Sequence, residues 1–282
     1  PDTIRVVHSD TLSGLPGNTP VASRMAIMLG GAAAGAARKI RDQAILIGAH
    51  NLKRTPEQVR YADGAVTALD DQAQSISLAR IALIAHREFH NMPPDLTEPG
   101  MQAVHVLQVP KGGALPTEDG RVQMYPCYSF AAHIVYAEID RLTGKVTLPE
   151  YCIAHDCGTV INPDIVRGMV IGGAAHGIGA ALYEEFAYEP GGQLLSGTFV
   201  DYVMPSSHEV PDIKLAEHCT PSPLTSHGQK GVGEGGYLGA PAAVASAIND
   251  ALSPYNIECL TLPMRASRLS DLLADQPAET ES

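Results

Sequence analysis

Residues 228–236 read Gly228-Gln229-Lys230-Gly231-Val232-Gly233-Glu234-Gly235-Gly236, five glycines in nine positions around one carboxylate. Glycine has no Cβ, so backbone N–H groups in such a stretch can approach a ligand closely. It is not a phosphate-binding P-loop, because no hydroxyl follows Lys230 in the required frame. Gly231, Gly233 and Gly236 fit G-x-G-x-x-G, but no strand precedes them. A carboxylate in a tight, dry pocket can serve as a general base near neutral pH, which makes Glu234 the candidate base. A lysine aimed at that carboxylate would favour its charged form, so Lys230 is expected to point toward a ligand or the backbone instead. The competing reading is a surface loop in which Glu234 caps the helix that follows.

Three other segments carry possible chemistry. Gly172-Gly173-Ala174-Ala175-His176-Gly177-Ile178-Gly179 lies in a helical pattern. Its small residues could admit a phosphate or let two helices touch, and His176 is either a ligand-facing donor or a structural histidine. Pro20-Val21-Ala22-Ser23-Arg24 opens a helix after a Gly/Pro-rich loop. Free N–H groups there, with the Ser23 hydroxyl and the Arg24 guanidinium, suit an anion, unless Ser23 is a plain N-cap. Asp156-Cys157-Gly158-Thr159-Val160-Ile161-Asn162-Pro163 reads most simply as a strand-to-helix connection.

Composition narrows the function classes. The 282 residues carry 19 Lys and Arg against 31 Asp and Glu, a net charge of −12. That balance argues against nucleic acid as a partner. No uninterrupted apolar run approaches the about 18 residues of a membrane span, and no basic-then-apolar leader opens the chain. The five cysteines show no C-x-x-C spacing, so reduced thiols and a cytoplasmic location are expected. With 27 Gly, no Trp and only 4 Phe, the chain is poor in aromatic bulk, as if something needed room near its backbone.

The element pattern is α+β, with mixed helices and largely antiparallel sheets. A strand is expected over residues 1–8, a loop over 9–20 and a long Ala-rich helix to about Lys53. Any helix at 58–60 is marginal; a better one covers 75–89, and 91–102 form a loop. Strands follow at 104–109 and 129–140, with a turn at 141–144 into a strand at 145–153. Helices are expected at 164–186, 241–251 and 263–274, short strands with Pro turns within 197–215, and a strand near 257–262. The domain expectation is a first α+β subdomain at 1–105, a second carrying the glycine loop at 106–275, and a frayed tail at 276–282.

Taken together, the segments resemble the molybdenum hydroxylases of the xanthine oxidase, aldehyde oxidoreductase and carbon monoxide dehydrogenase family. The residues that carry this are Gly228 to Glu234, Asp156…Gly158…Asn162-Pro163, Gly172-Gly173 with His176-Gly177-Ile178-Gly179, Leu182-Tyr183-Glu184-Glu185, the hairpin from Glu138 to Gly144, and Asn18-Thr19-Pro20-Val21-Ala22-Ser23-Arg24. The resemblance covers about residues 1–275 but only the C-terminal half of the family's molybdopterin-binding subunit. It implies the fold of that half, as in the medium subunit of split enzymes such as nicotinate dehydrogenase.

The resemblance further implies a molybdenum-dependent hydroxylase that oxidises an N-heterocycle or aldehyde with water as oxygen source and Glu234 as base. The molybdenum pyranopterin, in its cytosine dinucleotide form, would be contacted by Ala22, Ser23, Arg24, His176, Gly177, Gln229, Lys230 and Gly231, without direct protein ligation of the metal. His176 stands where the family usually has Gln. Expected partners are a chain with the N-terminal half of the molybdenum subunit, an iron–sulfur subunit with 2Fe–2S clusters and a flavin subunit with FAD, besides a small-molecule substrate. A non-catalytic structural paralogue is the alternative.

Overall fold

The computed structural model describes residues 4–7, 12, 21–96, 98–109 and 115–274. It divides into two compact units. The first is Ala26–Pro126 with Pro223–Ser226; the second is Pro1–Met25, Cys127–Ser222 and His227–Ser282. The break thus falls at 126/127 rather than 105/106, and the segment before Ala26 belongs with the second unit. The expected tail at 276–282 and nearly all of the loop at 9–20 lie outside the described residues, and residues 4–7 form no strand.

In the first unit, helix α1 spans Met25–Asn51. Two of its internal glycines are contact points. A Cβ on Gly31 would lie 2.6 Å from Leu107, and one on Gly35 would lie 2.1 Å from His105. Residues 104–109, expected as a strand, therefore run along the helix in irregular conformation. Their side chains fill the glycine notches, and Lys39 Nζ donates to the Val104 carbonyl at 2.6 Å.

Three short strands follow: β1 (Val59–Ala62), β2 (Ala65–Ala68) and β3 (Ser75–Ser77), antiparallel in that order. Asp63 and Gly64, both at positive φ, make the two-residue turn of the first hairpin. Helix α2 (Leu78–Arg87) starts later than expected because Ser77 is its N-cap, accepting from the Arg80 N–H. Val66, Ile81, Ile84 and Ile47 form the centre of this unit's core.

The second unit is built on strands β4 (Phe130–Ile139) and β5 (Val146–Asp156), an antiparallel hairpin. The Asp140 carboxylate holds its turn, accepting from the N–H groups of Leu142 and Thr143. Helix α3 (Pro163–Leu182), capped by Asn162, follows; strand β6 (Ile213–Glu217) pairs parallel to β5. Of the short strands expected within 197–215, only β6 forms. Helices α4 (Ala240–Leu252) and α5 (Ala266–Leu273) complete the unit, and residues 257–262 are not a strand. Tyr151, Ile153, Val170, Ala174, Ile178, Val244, Ile248 and Leu269 form its core.

Helix α3 corrects one expectation: with mean hydropathy 1.4 over 18 residues it is long and apolar enough to cross a membrane. Its composition has a source inside the unit, because Val170, Ala174, Ile178 and Ala181 are fully buried in the core. The turn before α4 presses directly on α3: a Cβ on Gly236 would lie 2.0 Å from the Val170 carbonyl oxygen. Gly236→Ala should therefore destabilise the full chain by about 1–3 kcal/mol, as overpacking against rigid backbone does. Thermal unfolding checks this; an unchanged midpoint would mean that the turn can lift off the helix.

Candidate functional site

The glycine loop is fastened at its base to the end of β5. Gly158, at φ +65°, turns the chain so that Lys230 N–H donates to the Cys157 carbonyl at 2.7 Å and Thr159 N–H to the Gly228 carbonyl at 3.1 Å. Only a residue without Cβ fits there, since a Cβ would stand 2.2 Å from the Gly228 oxygen.

Beneath this pairing lies a buried ion pair. Lys230 Nζ is 2.9 Å from Asp156 Oδ2, with side chains 6% and 7% exposed. The ammonium also donates to Thr220 Oγ1 at 2.7 Å, and the Thr220 hydroxyl in turn bonds Asp156 Oδ2. The other carboxylate oxygen accepts from the N–H groups of Gly158 and Thr220. Burial pushes the Asp156 carboxyl upward, but bonds from Thr220, Lys230 and the two backbone donors outweigh it and hold the group well below the usual carboxylate range. Lys230 thus neutralises Asp156. Its partners are a carboxylate and a hydroxyl rather than the ligand or backbone that the sequence suggested.

At the crown of the loop, Glu234 meets the segment before α1. Ser23 Oγ donates to Glu234 Oε2 at 2.7 Å and accepts from the Glu234 N–H at 2.8 Å. Ala22 and Ser23 both adopt φ +54°, two successive left-handed residues that are not glycine. That conformation costs about 1–2 kcal/mol per residue, so the surrounding contacts must over-determine it. Two loop glycines provide them: a Cβ on Gly231 would lie 2.1 Å from the Ser23 carbonyl, and one on Gly233 would lie 3.1 Å from its hydroxyl.

Two expectations change here. Ser23 is not an N-cap, since its hydroxyl is occupied by Glu234. Glu234 is exposed, so the dry walls expected around it are not supplied by the described residues. Nor does Glu234 cap α4 with its side chain; that helix starts from Gly239 without a side-chain cap.

The Glu234 carbonyl accepts from the Tyr237 N–H at 3.0 Å, and the Tyr237 ring stacks on His176 with centroids 4.5 Å apart. His176 is exposed on α3, on the same face as Gly168 and Gly172. Gly177 faces inward, where an added Cβ would be 2.5 Å from Ala240 Cβ. Gln229 is 1% exposed, its Oε1 accepting from the His227 N–H. The expected contact residues therefore separate: Ala22, Ser23, Arg24, His176 and Glu234 belong to the partly or fully exposed part of the unit, whereas the side chains of Gln229 and Lys230 are turned inside. Asp156 was visible in the sequence as part of a connection and of the family resemblance, with no partner assigned, and nothing marked Thr220; a lysine buried beside glycines needs an anion, which was the available signal.

Residues 1–211 match the family described as "Molybdopterin cofactor-binding domain". The chain belongs to this family. It is 31% identical over 262 residues to the nicotine 6-hydroxylase large subunit of Paenarthrobacter nicotinovorans, covering 93% of this chain and 30% of that protein. It is 30% identical to the carbon monoxide dehydrogenase large chain of Hydrogenophaga pseudoflava, covering 95% of this chain and 31% of that one.

Among solved structures, a Cu,Mo-CO dehydrogenase in its carbon monoxide reduced state superposes with a TM-score of 0.81 at 29% identity, covering 93% of this chain and 31% of that one. Quinoline 2-oxidoreductase from Pseudomonas putida 86 superposes at 0.78 with 31% identity, over 91% and 31% of the two chains. This molybdopterin-binding chain thus spans about a third of the length of these relatives.

The exposed residues fit such a cofactor. Added Cβ atoms on Gly168 and Gly172 would meet nothing, so these two glycines leave a bare helix face that no described residue fills. On the same face stands the exposed imidazole of His176, suited to a polar edge of a pterin. Among the described residues no group of three or more His, Cys, Asp or Glu is placed to hold a metal ion.

Proposed function

We propose that this chain forms the base-carrying wall of a molybdenum hydroxylase active site, in which an N-heteroaromatic compound is oxidised at an electrophilic ring carbon. The observation that carries this reading is the exposed Glu234 carboxylate, held at the crown of the glycine loop against the Ser23-Arg24 segment. The net reaction adds the oxygen of water to a C–H carbon and releases two protons and two electrons. Glu234 accepts the first of those protons. When bound, the cofactor supplies the two-electron redox chemistry. This chain's residues orient and exclude: Arg24 and the bare face of α3 receive the pterin and its phosphates, and His176 donates from beside them.

The substrate class follows from relatives whose names specify nicotine and quinoline, both nitrogen heteroaromatics. The cofactor is taken to be the cytosine dinucleotide form. The facing wall, which dries Glu234, comes from a part that corresponds to the rest of the relatives' length. Iron–sulfur and flavin subunits carry the electrons away, since the chain's five thiols are scattered and free. Phe130, Ile134 and Tyr136 support a covering partner, standing 66%, 73% and 60% exposed on the outer face of β4. The free thiols also favour the cytoplasm.

Purification of the chain with its natural partners tests the proposal. The complex should contain molybdenum equimolar with this chain, together with iron and flavin. A pure, intact complex without molybdenum would make the chain a structural paralogue.

A further inference from the structure

We propose that Ser23 is a positioning residue for Glu234 and not a ligand of the cofactor; the inference rests on Glu234 being the base. The hydroxyl has one proton, and that proton is committed to Glu234 Oε2 at 2.7 Å. Its lone pairs face the Glu234 N–H at 2.8 Å. The hydroxyl therefore closes a ring on a single residue, gripping both its side chain and its backbone; among the described residues nothing bonds Oε1, which is the oxygen left to take a proton. A plain serine cap would bind only backbone, and a cofactor donor would aim its proton outward.

The backbone is shaped for the same end. Ala22 and Ser23 are both left-handed, and the Ser23 carbonyl occupies the space above Gly231. Ser23 is joined to a residue 211 positions away. Without the grip, the carboxylate of an exposed glutamate would sample several rotamers, and misplacement by about 1 Å is enough to cost a large factor in rate.

The left-handed backbone supplies a discriminating variant. Ser23→Gly removes the hydroxyl but adopts φ +54° without penalty, so it should keep or raise the stability of the chain. In the assembled complex, Ser23→Gly should lower kcat by roughly 10–100-fold, with substrate KM within about twofold and molybdenum and pterin content unchanged. Independently of turnover, hydrogen exchange on the full chain should show the Glu234 amide exchanging faster in Ser23→Gly, since its acceptor is gone.

A kcat within about twofold of the parent at full molybdenum content would overturn the proposal, and so would loss of pterin, which would return Ser23 to the cofactor. Unchanged exchange at the Glu234 amide would also overturn it. An active Glu234→Gln complex would overturn the base assignment instead, while the exchange result would still report on the grip.

Discussion

Glu234→Gln is expected to lower turnover of the assembled complex by roughly 10²–10⁴-fold, the contribution of a positioned general base. The amide keeps the shape of the carboxylate, and its oxygen can still accept from Ser23 Oγ while the backbone N–H keeps its own bond. It cannot take up a proton at neutral pH. Stability, assembly and molybdenum content should therefore match the parent. Steady-state kinetics on the purified complex, with metal analysis of the same preparation, checks this. Activity within about tenfold of the parent would remove Glu234 from the base role.

The second large effect concerns stability. Lys230→Met should destabilise the chain by about 3–5 kcal/mol, because it leaves the Asp156 carboxylate buried without its cation. Methionine has similar length and can fill the same space, so the loss is electrostatic rather than a cavity. The bonds from Gly158 and Thr220 soften the loss but cannot replace a charge. Asp156→Asn in the same chain should restore a good part of it, since the amide carries no charge to strand.

The pH dependence has a defined sign. Asp156 titrates well below its ordinary value of about 4 in the folded chain. Its contribution is therefore present above about pH 4 and is lost as the pH falls from there toward the depressed native value. In Lys230→Met the buried carboxyl would gain by protonation, so the gap to the parent should narrow on acidification. Denaturant titrations at pH 7 and at about pH 3.5 measure both points. A gap that is the same at both pH values would mean that the pair contributes no net charge stabilisation.

Much of the second unit was legible because its signals are local. Alternation over residues 129–140 and the Asp140-to-Gly144 turn mark the β4–β5 hairpin, and α3 and α4 differ from expectation only at their ends. The first unit was harder. Its strands β1 to β3 are 3–4 residues long, too short for alternation to register, although Asp63-Gly64 was a readable hairpin turn. Residues 104–109 alternate like a strand, but their alternation serves α1: Leu107 and His105 point at Gly31 and Gly35. The glycine excess had a similar fate. Thirteen of the 27 glycines lie in three windows, at 30–35, 168–179 and 228–236, which suggested room for a cofactor. Those at 31, 35, 173, 177, 231 and 236 instead admit the protein's own backbone or side chains, while 168 and 172 remain bare.

By itself, the amino-acid sequence determined the chemical inventory: one carboxylate in a glycine loop, a Ser-Arg helix start, a histidine on a helix of small residues, and the hairpin-plus-helix frame. These depend on residue type and short-range periodicity. The tertiary structure alone decided which groups meet. It placed Lys230 on Asp156, 74 residues away, and Ser23 on Glu234, 211 away. It also turned Gln229 inward and left Glu234 exposed. Such pairings follow from how strands, turns and helices are stacked. A lysine's need for a buried anion, or a carboxylate's for a hydroxyl, is written in its chemistry, but the residue that meets it is chosen by topology.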